Sequence, residues 1–114
     1  MTTYNNLPVY KASYDLLVEI FRFTKDFSKE YKYTVGESIK KEILEMITNI
    51  YRANSNLEKR KDRIQTAREN CETIRLFLRL LKDLHQINIS KFVSLNEKIE
   101  TVSKQLSAWK KSCA

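Results

Sequence analysis

LEKRKDRIQTARENCETIRLFLRLLKDLHQ, residues 57–86, decides the fold. The stretch contains neither Gly nor Pro, so nothing in it interrupts a helix. Ile64, Ala67, Cys71, Ile74, Leu78 and Leu81 recur at alternating three- and four-residue steps, which places them on one side of an α-helix. Lys61, Arg68, Arg75 and Lys82 recur every seven residues, with Arg79 one turn beyond Arg75. At 100° per residue this basic line runs beside the apolar one, offset by roughly 70–90°. Phe77, Leu80 and Leu84 lie on the opposite flank of the apolar line. One rod thus carries a core face, a cationic edge and a surplus hydrophobic surface. That pattern suits a small helical protein that assembles with copies of itself or a partner and holds a polyanion.

The rest of the chain fits this frame. At 114 residues it is long enough for one core and too short for two. A single Gly and a single Pro argue for long helices and short turns rather than a sheet. The 21 Lys and Arg against 14 Asp and Glu leave a net charge of +7. Residues 1–56 carry 8 basic and 7 acidic groups, residues 57–114 carry 13 and 7, so the excess sits in the second half. This favours a nucleic acid or a phosphate-rich surface as partner, set against the plain alternative of a Lys-rich solvated face. Cys71 falls within the apolar line and Cys113 at the chain end, which reads as a core thiol and a tail thiol rather than a disulfide framework. The N-terminal residues show no signal-peptide pattern and no apolar run approaches the ~20 residues of a membrane span, so the expected location is cytoplasmic.

In chain order, residues 8–28 are expected to form the first helix, with Pro8 in its first turn and Val9, Ala12, Leu16, Ile20, Phe23 and Phe27 inward. Residues 28–33 read as a connection. Thr34 and Glu37 stand at capping-box spacing and open a second helix over 34–54, with Ile39, Ile43, Met46, Ile47 and Ile50 as its core face. Gly36 in its first turn either permits a close backbone approach or is a neutral surface glycine. Ser55 and Glu58 repeat the capping spacing before a third helix over 56–86, and Ser90 is a fair N-cap for a fourth over 90–112. Phe92, Leu95, Ile99, Val102, Leu106 and Trp109 step 3-4-3-4-3 along it as a narrow seam. Short connections make consecutive helices antiparallel, so the fold class is all-α, an up-down-up-down four-helix bundle in one domain.

Catalytic and metal chemistry find little footing. His85, the only histidine, extends the apolar line, no second His or Cys stands at ligand spacing, and there is no Gly-rich phosphate loop. The expectation is a non-enzyme without cofactors. The candidate binding residues are Arg75, Arg79, Lys82, Arg68 and Lys61, which would neutralise phosphates with little base reading because no aromatics interleave them. The denser cluster Lys59, Arg60, Lys61 and Arg63 lies one to two turns before Arg68, and several of its members point away from that edge and read as plain surface. Phe77, Leu80 and Leu84 are the candidate oligomer interface, unless a bulky bundle core uses them all.

LPVYKASYDLLVEIFRFTKDFSKE, YTVGESIKKEILEMITNIYRAN, IRLFLRLLKDL and SAWKK together resemble the four-helix-bundle family of the accessory variability determinant (Avd) of diversity-generating retroelements. Its superfamily also holds proteins encoded within bacterial 23S ribosomal RNA intervening sequences. Those tend to read N-I-A-E-G where this chain reads NIYRAN. The resemblance implies a barrel-shaped homopentamer with a positively charged surface that binds the retroelement reverse transcriptase and its RNA or DNA during mutagenic cDNA synthesis. It also implies that Arg75 and Arg79 contact nucleic acid or the polymerase. The alternatives are an RNA-binding bundle of the ribosomal type and a purely structural oligomer whose charge only keeps it soluble.

Overall fold

A computed structural model describes residues 7–113, which form α1 (Pro8–Phe23), α2 (Lys29–Lys32), α3 (Val35–Ser55), α4 (Arg60–Asp83) and α5 (Ile89–Ser112). No strand occurs among the described residues. α1 starts where Pro8 needs no amide partner, and the carbonyl of Leu7 accepts from Tyr10 and Lys11 instead. It ends earlier than the periodicity predicts. A 3₁₀ turn, Thr24–Asp26, tightens the chain, Phe27 becomes extended and buries its ring, and residues 29–32 make the one-turn α2 inside the expected connection.

Neither capping box forms. The Thr34 hydroxyl donates to the Glu30 carbonyl at 2.8 Å, and Glu37 pairs with Lys40 at 2.7 Å. Ser55 closes α3 by donating to the Arg52 carbonyl, and the turn into α4 is held by Asn56 Oδ1, which accepts the Lys59 amide at 3.3 Å. α5 is capped by Asn88 rather than Ser90: its extended backbone (φ −81°, ψ 172°) aims Oδ1 at the Lys91 amide, 2.7 Å away. α4 ends with His85 in the left-handed region at φ 58°. The Gln86 amide then reaches the Leu81 carbonyl and the His85 amide that of Lys82, a Schellman closure with histidine where glycine is usual. His85 is accordingly an exposed turn residue and not an extension of the apolar line.

The four long helices close a square in which α1 and α4 each lie between α3 and α5. Neighbours run antiparallel, as Arg63–Asn49 and Asn70–Glu42 show for α4 with α3, Lys110–Gln65 and Arg75–Glu100 for α5 with α4, and Lys98–Glu19 and Lys91–Phe23 for α5 with α1. The rod is 44 Å long and 22 by 21 Å across. Ile64, Ala67, Cys71, Ile74, Leu78 and Leu81 are all fully buried, together with Leu16, Ile20, Ile39, Ile43, Met46, Ile50, Leu95, Ile99, Val102 and Leu106. Each large aliphatic side chain contributes about 1.5–3 kcal/mol by leaving water. This bundle is the all-α arrangement that the periodicities predict.

Two details inside it bear on specificity. Asn49 Nδ2 donates to Asn70 Oδ1 at 3.1 Å, Asn70 in turn donates to Glu42, and Arg63 reaches Asn49 at 3.3 Å. This polar bridge is satisfied in only one register of α3 against α4. Gly36 is buried, and a Cβ there would lie 3.0 Å from the Tyr31 carbonyl oxygen and 3.3 Å from the Phe27 ring, so it serves a close approach. Both cysteines are free. Burial pushes the Cys71 thiol up to about 12, despite the attraction of Arg75, so it is protonated and inert at neutral pH beside Met46.

Candidate nucleic-acid interface

The cationic line of α4 faces the seam with α5, where the two helices pair rung by rung. From one end to the other the rungs are Gln65 with Lys110, Arg75 with Glu100, and Lys82 with Phe92. The five predicted cations share this face but not one environment. Lys61 is exposed and Arg79 is exposed, and neither has an ion-pair partner among the described residues. Arg68 is half-buried and donates to the neutral amide oxygen of Gln65 at 3.2 Å, leaving its charge uncompensated. Lys82 lies 4.7 Å from the centroid of the Phe92 ring and 3.8 Å from Asp83. Arg75 is different. Its guanidinium is held between Glu72, at 3.0 Å, and Glu100 of α5. It is therefore not a free cation at the surface: it ties α4 to α5.

Sequence reasoning missed Lys110, whose ammonium converges with Arg68 on Gln65 Oε1 at 2.5 Å. Nothing local signals it, because residues 65 and 110 meet only through the antiparallel register. It also missed the work of Arg60. That guanidinium donates to the carbonyls of Ala53 and Asn54 at 2.8 and 2.9 Å, capping the end of α3, and sits 5.9 Å from the Trp109 ring. On the far side, Glu19 bridges Lys91 and Lys98. Partial burial works against its charge, but the hydrogen bonds and charges of Lys98 and Lys91 outweigh this and hold the carboxyl below its ordinary value.

The apolar flank divides as well. Phe77 packs against the bundle core and Leu84 is half-buried, which departs from the expected patch of Phe77, Leu80 and Leu84. The reason is register: Asn70, Phe77 and Leu84 follow at seven-residue steps, and Asn70 is bonded to α3, so that flank lies against α3. Leu80 remains 41 % exposed, and Leu76, one turn before it, 63 %. Beyond the α4–α5 turn an open concavity of about 880 Å³ is lined by residues that include Ile87, Ile89, Phe92 and Val93, with Ile89 73 % exposed. No group of three or more His, Cys, Asp or Glu side chains that could hold a metal ion occurs among the described residues, and none of their helices is long and apolar enough to cross a membrane.

A family model described as bAvd-like matches residues 8–113, from the first residue of α1 to just past the last of α5. The chain belongs to the bAvd-like family. The family is that of the accessory variability determinant, an accessory, non-catalytic protein of retroelements. Membership suggests an accessory protein of a diversity-generating retroelement, associated with the reverse transcriptase. No curated protein matches the chain.

Proposed function

We propose that this protein is a non-enzymatic accessory subunit that holds template RNA, an RNA–DNA hybrid or cDNA beside the reverse transcriptase of a diversity-generating retroelement. The observation that carries the reading is the α4–α5 face, where Lys61, Arg68, Arg79 and Lys110 stand without a carboxylate partner among the described residues. Cations left unneutralised repel one another, and a strand of phosphates relieves that repulsion while releasing its own counterions. Arg79 supplies a forked guanidinium free to bridge a phosphate, whereas Arg75 supports the face by joining its two helices.

Assembly belongs to the same reading. Leu76, Leu80 and Ile89 are exposed apolar side chains that a neighbouring copy could cover, and the family resemblance implies a homopentamer. Repeated copies would present repeated cationic faces to one nucleic acid. The chemistry of polymerisation stays with the polymerase.

The test has two arms. Co-expressed with the reverse transcriptase of its own retroelement, the tagged chain should retain the polymerase, and light scattering should give five times the 13.5 kDa chain mass. Gel shifts with RNA should weaken by an order of magnitude or more between about 50 and about 200 mM salt if several phosphates are contacted. Arg79→Glu should weaken the shift while leaving helicity unchanged. A monomer that binds neither polymerase nor RNA would refute the proposal.

A further inference from the structure

One end of the rod gathers most of the protein's charge excess. Residues 52–63, which include the α3–α4 turn, hold Arg52, Lys59, Arg60, Lys61 and Arg63 against Glu58 and Asp62, and α5 brings Lys110 and Lys111 to the same end. Those seven cations and two carboxylates leave +5 of the chain's +7 there. The placement is tertiary: Arg60 bonds to Ala53 and Asn54 and lies near Trp109, Arg63 bonds to Asn49, and Lys110 bonds to Gln65.

None of these anchors is a carboxylate. Arg60 and Arg63 are held by carbonyl and amide oxygens, and Lys110 by an amide oxygen, so each is positioned without being neutralised. Among the described residues every ion pair lies elsewhere: Glu37–Lys40, Arg75 with Glu72 and Glu100, Lys82–Asp83, and Glu19 with Lys91 and Lys98. Arg52, Lys59, Lys61 and Lys111 are exposed and have no ion-pair partner among the described residues. This end thus combines +5 of net charge with cations that no carboxylate among the described residues neutralises.

We infer that this end of the bundle is a phosphodiester-binding pole, at which Arg52, Lys59, Lys61, Lys110 and Lys111 contact consecutive phosphates of a nucleic-acid strand. The inference rests on the nucleic-acid reading above and locates its main contact away from Arg75 and Arg79. From the pole the strand continues onto the α4–α5 face, because Arg68 shares the Gln65 amide oxygen with Lys110. Trp109 is half-buried beside the Arg60 guanidinium, so the pole offers charge rather than a stacking platform, and recognition is indifferent to sequence.

The experiment titrates a labelled single-stranded RNA oligonucleotide with full-length protein over a range of salt concentrations. Two triple variants are compared with wild type: Lys59→Gln/Lys61→Gln/Lys111→Gln at the pole and Lys25→Gln/Lys29→Gln/Lys41→Gln at the opposite end. All six side chains are exposed and without ion-pair partners among the described residues, so helicity and melting temperature should hold in both. The pole triple should flatten the slope of log K against log salt by about 2 and weaken binding on the order of 10- to 100-fold near physiological salt. The control triple, with the same net charge, should stay within a few-fold of wild type. Lys61→Gln alone should flatten the slope by about 0.7, which keeps the test open should the pole triple fail to fold. Equal weakening by both triples, or an unchanged slope in the pole triple, overturns the pole while leaving nucleic-acid binding intact. Absence of binding by wild type at low salt overturns both readings. Competition by polyglutamate as strong as by unlabelled RNA would assign the pole to an acidic protein and overturn the inference.

Discussion

Arg75 and Arg79 sit one helical turn apart on the same face and should respond oppositely to the same change. Arg75→Gln removes one guanidinium that holds two carboxylates, Glu72 on its own helix and Glu100 on α5. The arginine side chain is only 28 % exposed, whereas Glu100 is 46 % and Glu72 67 % exposed, so water already screens the acidic partners. An i,i+3 pair at the surface contributes about 0.3–0.5 kcal/mol, and the cross-helix pair about 0.5–1 kcal/mol after that screening. The expected loss is therefore about 1 kcal/mol, a fall of about 4 °C in melting temperature for a domain of this size. A cycle with Glu100→Gln isolates the cross-helix part and should give a coupling of about 0.5–1 kcal/mol. Urea denaturation followed by circular dichroism measures all four proteins. Arg79→Gln should change the unfolding free energy by less than about 0.5 kcal/mol, since no partner among the described residues is lost, and yet weaken RNA binding several-fold. If Arg75→Gln leaves stability unchanged and weakens RNA binding as much as Arg79→Gln does, the assignment of Arg75 to the helix–helix joint is wrong.

Asn70→Leu should cost about 2–3 kcal/mol in the same denaturation assay, because it strands the buried Asn49 amide and takes a hydrogen bond from Glu42, whereas an exposed Asn96→Leu should cost almost nothing. Gly36→Ala should destabilise by about 1 kcal/mol in spite of the better helix propensity of alanine, since its Cβ meets the Tyr31 carbonyl at 3.0 Å; a stabilised variant would show that α2 can shift freely. Glu19 has a lowered pKa in the fold, so its contribution is present above the unfolded glutamate value of about 4.3 and is lost as pH falls through the lower, folded one. The stability advantage of wild type over Glu19→Gln should accordingly shrink on acidification below about pH 5, and an advantage constant with pH would contradict the ion-pair assignment.

How far the molecule can be read from its sequence depends on the range of the force concerned. Four long helices and their buried faces follow from spacing, because 3.6 residues per turn converts a list of apolar positions directly into a stripe. The stripe of α4 is buried from Ile64 through Leu81, and only His85, expected to extend it, lies outside in the turn. Helix ends were less legible: Asn88 displaced Ser90 as a cap and His85 took a left-handed turn, since several polar residues near a terminus compete within a few tenths of a kcal/mol.

By itself, then, the sequence determined an all-helical chain with a core face and a basic second half. Only the packing of helix on helix decided which cations meet a carboxylate. Lys110 reaches Gln65, Glu100 reaches Arg75 and the Phe77 flank turns toward α3 because the register between helices is set by the whole apolar core. Ion pairs act over about 4 Å, and a slip of one residue swings a side chain by about 100° around its helix. A partner tens of residues away is thus invisible until the core has chosen the register.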